Sequence, residues 1–213
     1  MINPVFEDRR HAAFLLADKL SEYRGTDAIV VAIPKGGLEI ASELSRLLDL
    51  EVVAIPCKKL RDPADPYRSI GSLTTESVIM HDVGYDVPQN YLAQRLNRLK
   101  AQLSAEETFY NTFGARDGLK GRTVIVVDDF VRTGDSVRAI LLDVANANPA
   151  RIVVAAPLIS WPAAMELSSS ADDVLYCQLM RQEDPVEAYY RQFEKLTVND
   201  ARRLLGELQP RFP

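Results

Sequence analysis

Two adjacent carboxylates, Asp128 and Asp129, stand shortly before a loop of small and hydroxyl-bearing residues that runs from Arg132 to Ser136. Ionised carboxylates accept hydrogen bonds, so the pair suits a diol such as ribose, or a Mg²⁺ ion bound to that ribose. The loop has the opposite preference. Its backbone N–H groups, the hydroxyls of Thr133 and Ser136 and the start of a following helix all favour a phosphate. The stretch therefore predicts a ligand that carries both sugar and phosphate.

The segments on either side place this stretch at the edge of a buried sheet. The β-branched run Val124–Val127 is typical of a strand that is covered on both faces of a parallel sheet. The amphipathic segment Val137–Asn146 predicts the helix that follows, and Gly134 lets the backbone approach a ligand closely. A plainer interpretation is a buried strand that ends in an Asp-rich turn, with Ser136 as an ordinary helix cap.

An earlier strand candidate, Ala28–Pro34, ends in residues that suit a second anion. Lys35, Gly36 and Gly37 follow it and lead into a helical pattern over Leu38–Leu48. In a parallel α/β sheet such loops gather at the carboxyl edge of the strands, where ligands bind. The segment would then offer backbone N–H groups and one ammonium to a phosphate, although a Gly-Gly turn that merely starts a helix is also common.

A third strand candidate, Glu51–Pro56, leads into three cations at Lys58, Lys59 and Arg61. Beside two predicted phosphate-binding loops, these cations suit a ligand group with concentrated negative charge, and Lys59 is the strongest candidate for that role. The other interpretation is a solvated basic rim at the end of a strand.

A cover for the site is predicted over about residues 57–82. The proline-rich, polar segment Asp62–Ser69 indicates a loop. The segment Ile70–Asp82 alternates in the manner of a hairpin, with its turn near Thr75–Ser77. A mobile flap of this kind would shield an intermediate that water could destroy.

The motif at 124–136 resembles the binding signature for phosphoribosyl pyrophosphate (PRPP) in type I phosphoribosyltransferases: four apolar residues, two acids and a loop that ends in Thr-Gly-x-Thr/Ser. Residues 34–37 are similar to the pyrophosphate loop of that family, although relatives have Arg where this chain has Lys35. That loop often holds a strained cis peptide, so the resemblance implies a cis bond between Pro34 and Lys35. Residues 57–73 and the Tyr190-x-x-Phe193 element resemble one uncharacterised sub-family, from which the chain departs at Arg61 and Asp62.

The resemblance implies an α/β fold in which an open, mostly parallel sheet has helices on both faces, with a flap hairpin and a small C-terminal hood at about 180–213. A single domain over residues 1–213 is expected. The implied enzyme is a phosphoribosyltransferase that binds PRPP with Mg²⁺ and transfers the phosphoribosyl group to a nitrogenous base, releasing pyrophosphate. A non-catalytic PRPP or nucleotide sensor on the same fold is the alternative, and the acceptor base cannot be named.

The resemblance also assigns roles to individual residues. Those expected to be catalytic are Asp128, Asp129 and Lys59. Those expected to bind substrate are Lys35, Gly36, Gly37, Lys58, Val131, Arg132, Thr133, Gly134, Asp135 and Ser136. Mg²⁺ is expected to bind mainly through PRPP, with Asp128 as the one candidate protein ligand. A homodimer would be compatible with the family, in which dimers are common.

Composition bounds the remaining possibilities. A net charge of −5 over 213 residues argues against a general nucleic-acid binder. No apolar run is long enough to cross a membrane, and the first residues do not form a secretory signal. Cys57 and Cys177 have no metal-ligand pattern around them, which favours reduced structural cysteines and a cytoplasmic protein.

Overall fold

The central layer is a five-stranded parallel sheet in a computed structural model that describes residues 3–81, 87–110 and 116–208. Within these ranges the order of elements is α1 (Arg9–Lys19), β1 (Ile29–Ala32), α2 (Gly36–Leu48), β2 (Glu51–Ala54), β3 (Lys58–Arg61), β4 (Ser69–Leu73), β5 (Val78–Met80), α3 (Gln89–Tyr110), β6 (Thr123–Val127), α4 (Asp135–Asn146), β7 (Arg151–Ser160), α5 (Trp161–Leu167), β8 (Asp173–Met180) and α6 (Val198–Leu208). The strand order in the large sheet is β2-β1-β6-β7-β8. The predicted open, parallel sheet is confirmed, and β6 is its central strand.

The sheet has helices on both faces, as predicted. Successive residues of β1 and β6 alternate between two apolar clusters, because side chains of a strand point to opposite faces in turn. Val30 and Ile125 pack with α1 and α2, whereas Val31 and Val126 pack with α4 and α5. Since β1 and β6 are buried along almost their whole length, their ends are the first places where polar side chains can reach a ligand.

A second, three-stranded antiparallel sheet of order β3-β4-β5 carries the predicted hairpin. Its turn lies at residues 74–77, where Thr74 accepts from the backbone of Ser77, as the sequence indicated. This sheet packs on α3 through an apolar cluster of Leu60, Ile70, Leu73, Leu99 and Leu103. Strand β3 was not predicted, and Asp82, the last residue of the predicted hairpin, lies outside the described residues. The mobility of the flap stays a prediction.

The C-terminal segment that was predicted as a hood packs against the main core. Phe6 and Tyr190 form a bridge beside the sheet, and the Arg191 amide donates to the Phe6 carbonyl at 2.9 Å. Tyr190 and Leu204 belong to the same apolar cluster as α1 and α2. Tyr190 is therefore part of the buried core. None of the helices in the described ranges has the length and apolar character needed to cross a bilayer.

Candidate functional site

The predicted phosphate loop follows β6 and is held in place by the end of β7. The Val131 amide donates to the Leu158 carbonyl at 2.8 Å, and the Ser160 hydroxyl donates to the Arg132 carbonyl at 2.6 Å. Gly134 then takes a positive φ of 77°, which turns the chain into the first residue of α4. The first amides of a helix have no intrahelical acceptor, so this turn aims donors and the positive end of the helix dipole at the sheet edge.

The two aspartates differ sharply in their surroundings. Asp129 is only 5% exposed, and its Oδ2 accepts a hydrogen bond from Arg9 Nε at 2.7 Å. Asp128 is half-buried, and its Oδ1 accepts from the Asp129 amide at 2.9 Å. Burial raises the pKa of Asp128 well above its ordinary range, the adjacent Asp129 carboxylate raises it further, and Lys59 opposes both effects. Of the two acids, Asp128 is therefore the one whose ionisation a bound ligand can alter.

The second predicted loop lies between β1 and α2, and its Pro34–Lys35 peptide bond is cis, as the resemblance implied. A methyl group on Gly36 would overlap the carboxylate of Asp129. One on Gly37 would lie 2.6 Å from the Val127 carbonyl oxygen. The two glycines thus let the start of α2 approach the end of β6, and this packing is the role that the structure gives them. Their expected contact with substrate stays a prediction.

Most of the predicted residues meet around one cavity of about 230 Å³ at the carboxyl edge of the sheet. Its lining is made by Ile33, Pro34, Lys35, Cys57, Lys59 and residues 128–137. Gly36, Gly37 and Lys58 do not line it. Lys58 pairs instead with Glu106 of α3 and lines a neighbouring cavity of about 550 Å³, which shares Pro34, Lys35 and Cys57 with the first. Lys58 and Lys59 therefore line different cavities, because consecutive residues of a strand point to opposite faces.

Three loop residues are engaged in ways that restrict their predicted roles. The Val131 amide is already bound to Leu158, so it is not free to donate to a phosphate. The Arg132 guanidinium donates to the Gln182 carbonyl, so this end of the side chain is already engaged within the protein. The Asp135 carboxylate is buried and lies 3.1 Å from Nε2 of His81, at the end of the flap hairpin. Thr133 and Ser136 line the cavity.

Sequence reasoning missed Arg9 and His81. Arg9 is 6% exposed, although it is a cation on the first turn of α1. The available signal was its spacing, since positions 9, 12, 13 and 16 form the buried stripe of that helix. His81 offered no comparable signal, because its contact with Asp135 joins residues 54 positions apart.

A cation would find oxygen ligands here but no complete protein cage. Asp128 offers a carboxylate at the cavity, whereas one oxygen of Asp129 is already bound to Arg9. Within residues 3–81, 87–110 and 116–208, no group of three or more His, Cys, Asp or Glu side chains could hold a metal. This donor set fits Mg²⁺, which retains several waters and binds through one or two carboxylates and the phosphates of a substrate.

Comparison with known proteins agrees with this geometry. The family model for the phosphoribosyl transferase domain matches residues 6–180. A Mycobacterium tuberculosis protein, provisionally named a phosphoribosyl transferase, is 26% identical over 178 residues, which cover 80% of this chain and 40% of that protein. The chain thus spans about two fifths of the length of this curated relative.

Solved structures give the same picture. The protein TT1426 from Thermus thermophilus is 30% identical and superimposes with a TM-score of 0.75, over 96% of this chain and 98% of that one. AQ2163 from Aquifex aeolicus has a TM-score of 0.50 at 9% identity, over 83% of this chain and 74% of that chain, and so shares the fold alone. On the match of the family model and the likeness to TT1426, the chain belongs to the phosphoribosyl transferase domain family.

Proposed function

We propose that the protein binds PRPP together with Mg²⁺ and transfers the phosphoribosyl group to a nitrogenous base, releasing pyrophosphate. The observation that carries this proposal is the single cavity shared by the aspartate pair, Lys35, Lys59 and the loop at the start of α4. Two cationic side chains, a helix N-terminus and a sugar-binding acid around one space match the charge distribution of PRPP. The family membership supports the same assignment.

The positions of these groups suggest which part of PRPP each of them binds. The 5′-phosphate would lie on the loop from Thr133 to Ser136, where the α4 dipole and two hydroxyls favour an anion. Asp128 would accept hydrogen bonds from the ribose hydroxyls. Lys35 and Lys59 would receive the pyrophosphate, which is at the far side of the sugar from the 5′-phosphate.

In the proposed reaction the bond between ribose C1′ and the pyrophosphate oxygen breaks, and a bond between C1′ and a base nitrogen forms. Pyrophosphate leaves with the electron pair, and the base nitrogen loses its proton to solvent. Positive charge develops on the sugar and negative charge on the leaving group, so Asp128 and Lys59 would each stabilise the charge opposite to their own. Mg²⁺, when bound, would neutralise part of the pyrophosphate charge.

The direct test is to incubate the protein with PRPP, Mg²⁺ and a panel of purine and pyrimidine bases and to measure pyrophosphate release. The matched variant is Asp128→Asn, which we expect to abolish turnover while the protein stays folded. The sequence alone predicts that the double change Asp128→Asn with Asp129→Asn leaves folding nearly intact. The buried pair of Asp129 with Arg9 makes the single variant the cleaner test.

The outcomes separate the candidate functions. Base-dependent pyrophosphate release that Asp128→Asn abolishes would support the transferase. PRPP binding without release for any base would support the sensor on the same fold. Absence of PRPP binding by calorimetry in the presence of Mg²⁺ would refute both assignments.

A further inference from the structure

Arg9 and Asp129 form an ion pair that is almost closed to solvent. The side chains are 7% and 8% exposed, and Nε lies 2.7 Å from Oδ2. Burying two charges is costly, so such a pair persists only where its geometry is good and its remaining hydrogen-bonding groups are satisfied. Replacing a buried pair with apolar residues is often neutral or favourable for stability. Stability alone is therefore a weak explanation for a buried pair beside the ligand cavity.

The rest of the Arg9 guanidinium is held by the C-terminal segment. Its central carbon lies 3.9 Å from the centroid of the Phe193 ring, and Nη1 donates to the Glu194 carbonyl at 2.8 Å. The Tyr190 hydroxyl donates to the Asp129 carbonyl at 3.2 Å. Asp129 is thus fixed through its side chain by α1 and through its backbone by a residue that follows β8.

The position of Asp129 in turn determines that of Asp128. The Asp129 amide donates to Asp128 Oδ1, so a shift of the Asp129 backbone would reorient the Asp128 carboxylate. A Cβ on Gly36 would overlap the Asp129 carboxylate, so this group also packs against the start of α2. The two acids consequently have different tasks, one as a fixed charge and one as the group that faces the cavity.

We propose that Arg9 is a positioning residue for the aspartate pair: it fixes Asp129 as a buried negative charge, so that Asp128 is the carboxylate that meets the ribose. The inference rests on the proposed function for its consequences in catalysis, but the placement of the acids is independent of it. Arg9 touches neither substrate nor reacting atoms and acts through Asp129.

The charged and titratable groups around the acids come from five parts of the chain. Arg9 approaches from α1, and Glu39 of α2 lies 3.6 Å from Arg9. Lys59 of β3, Cys57 before it and Tyr190 of the C-terminal segment also act on the pair or are acted on by it. Arg9 is in direct contact with Asp129, so its removal should release the Asp129 carboxylate and, through the Asp129 amide, change the placement of Asp128.

The experiment compares Arg9→Gln and Arg9→Lys with Arg10→Gln as the matched control. Arg10 is the next residue of α1, is 66% exposed and pairs with Glu43 away from the acids. Carboxyl ¹³C NMR spectra of the Asp-labelled protein at one fixed pH report the surroundings of both carboxylates, with Asp128→Asn and Asp129→Asn used to assign the signals. We expect Arg9→Gln to shift the Asp129 and Asp128 signals, Arg9→Lys to restore most of their positions, and Arg10→Gln to leave them unchanged.

Kinetics supply the second readout. If wild-type protein releases pyrophosphate, Arg9→Gln should lower kcat by about 10–100-fold, as is typical when a partner that orients an active-site ligand is lost. Unchanged carboxyl signals of Asp128 and Asp129 in folded Arg9→Gln protein would overturn the inference, even where its melting temperature is lower.

Two further results keep the inference separate from the proposed function and from misfolding. If wild-type protein neither binds PRPP nor releases pyrophosphate, the proposed function fails, and the NMR comparison still decides the role of Arg9. If Arg9→Gln does not fold, Phe193→Leu removes the ring beneath the guanidinium and keeps both charges. A smaller change of the two carboxyl signals in that variant supports the inference, and no change overturns it.

Discussion

Gly36 is the position at which one added methyl group tests the geometry of the acid pair. The Cβ of an alanine there would overlap the Asp129 carboxylate, which can move aside only by giving up its bond to Arg9. Gly36→Ala should therefore displace Asp129 and break its bond to Arg9. A hydrogen bond to a charged group contributes about 1.5–3 kcal/mol to the free energy of unfolding.

A smaller effect acts in the opposite direction. Alanine lowers the conformational entropy of the unfolded chain and so stabilises a protein by about 0.4–1 kcal/mol where its conformation is tolerated. The net loss for Gly36→Ala is then about 0.5–2.5 kcal/mol. For a chain of this size each kcal/mol corresponds to about 2–4 °C, so the melting temperature should fall by about 1–10 °C.

The assay is chemical and thermal unfolding of Gly36→Ala in two backgrounds, wild type and Asp129→Ala. Removing the carboxylate removes the obstacle, so the cost of Gly36→Ala should disappear in the second background. Gly37→Ala is the matched contrast, because the atom 2.6 Å from its added methyl group is the Val127 carbonyl oxygen. That cost should remain in both backgrounds. An equal cost of Gly36→Ala with and without Asp129 would refute the reasoning.

Two further predictions concern the charges around the cavity. The folded-state pKa of Asp128 is raised, so ionisation of this carboxyl opposes folding. Asp128→Asn should therefore unfold at a higher temperature than wild type at pH 8. The difference should vanish as the pH falls below about 4, where the carboxyl is protonated in both states. Each unit of difference between folded and unfolded pKa corresponds to about 1.4 kcal/mol, and a gap that grows in acid would contradict the sign. Lys59→Ala should lower kcat for pyrophosphate release by about 100-fold, since Lys59 lines the cavity, whereas Lys58→Ala should have a much smaller effect because its ammonium is paired with Glu106. Steady-state kinetics of both variants check this, and equal losses would argue against the division between the two lysines.

Local signals in the sequence were sufficient to predict most elements and the position of the site. The predicted helices Leu38–Leu48 and Val137–Asn146 end where α2 and α4 end, and each observed helix begins two residues earlier. These segments have strong periodicity or long apolar runs, which depend on neighbouring residues only. The loop after β6 was predicted for the same reason, since its acids, glycine and hydroxyls are contiguous.

Strand β3 was not predicted, because its residues do not have the sequence pattern of a strand. Lys58–Arg61 carries three cations, which suggest a solvated rim, and it becomes a strand through antiparallel pairing with Ser69–Leu73. That pairing crosses a proline-rich loop, so the chain offers no local sign of it. Lys58 is tolerated in this strand because it pairs with Glu106, and Lys59 because it lines the open cavity.

The difference in surroundings between Asp128 and Asp129 depends on contacts between residues that are far apart in the sequence. Arg9 and Asp129 are 120 residues apart, and the guanidinium that joins them is completed by Phe193 and Glu194 from near the end of the chain. In this chain the second acid is bound by α1, packed against the start of α2 and held through its backbone by the C-terminal segment. The motif therefore predicts where a sugar phosphate binds, whereas the placement of the second acid is determined by α1, α2 and the C-terminal segment together.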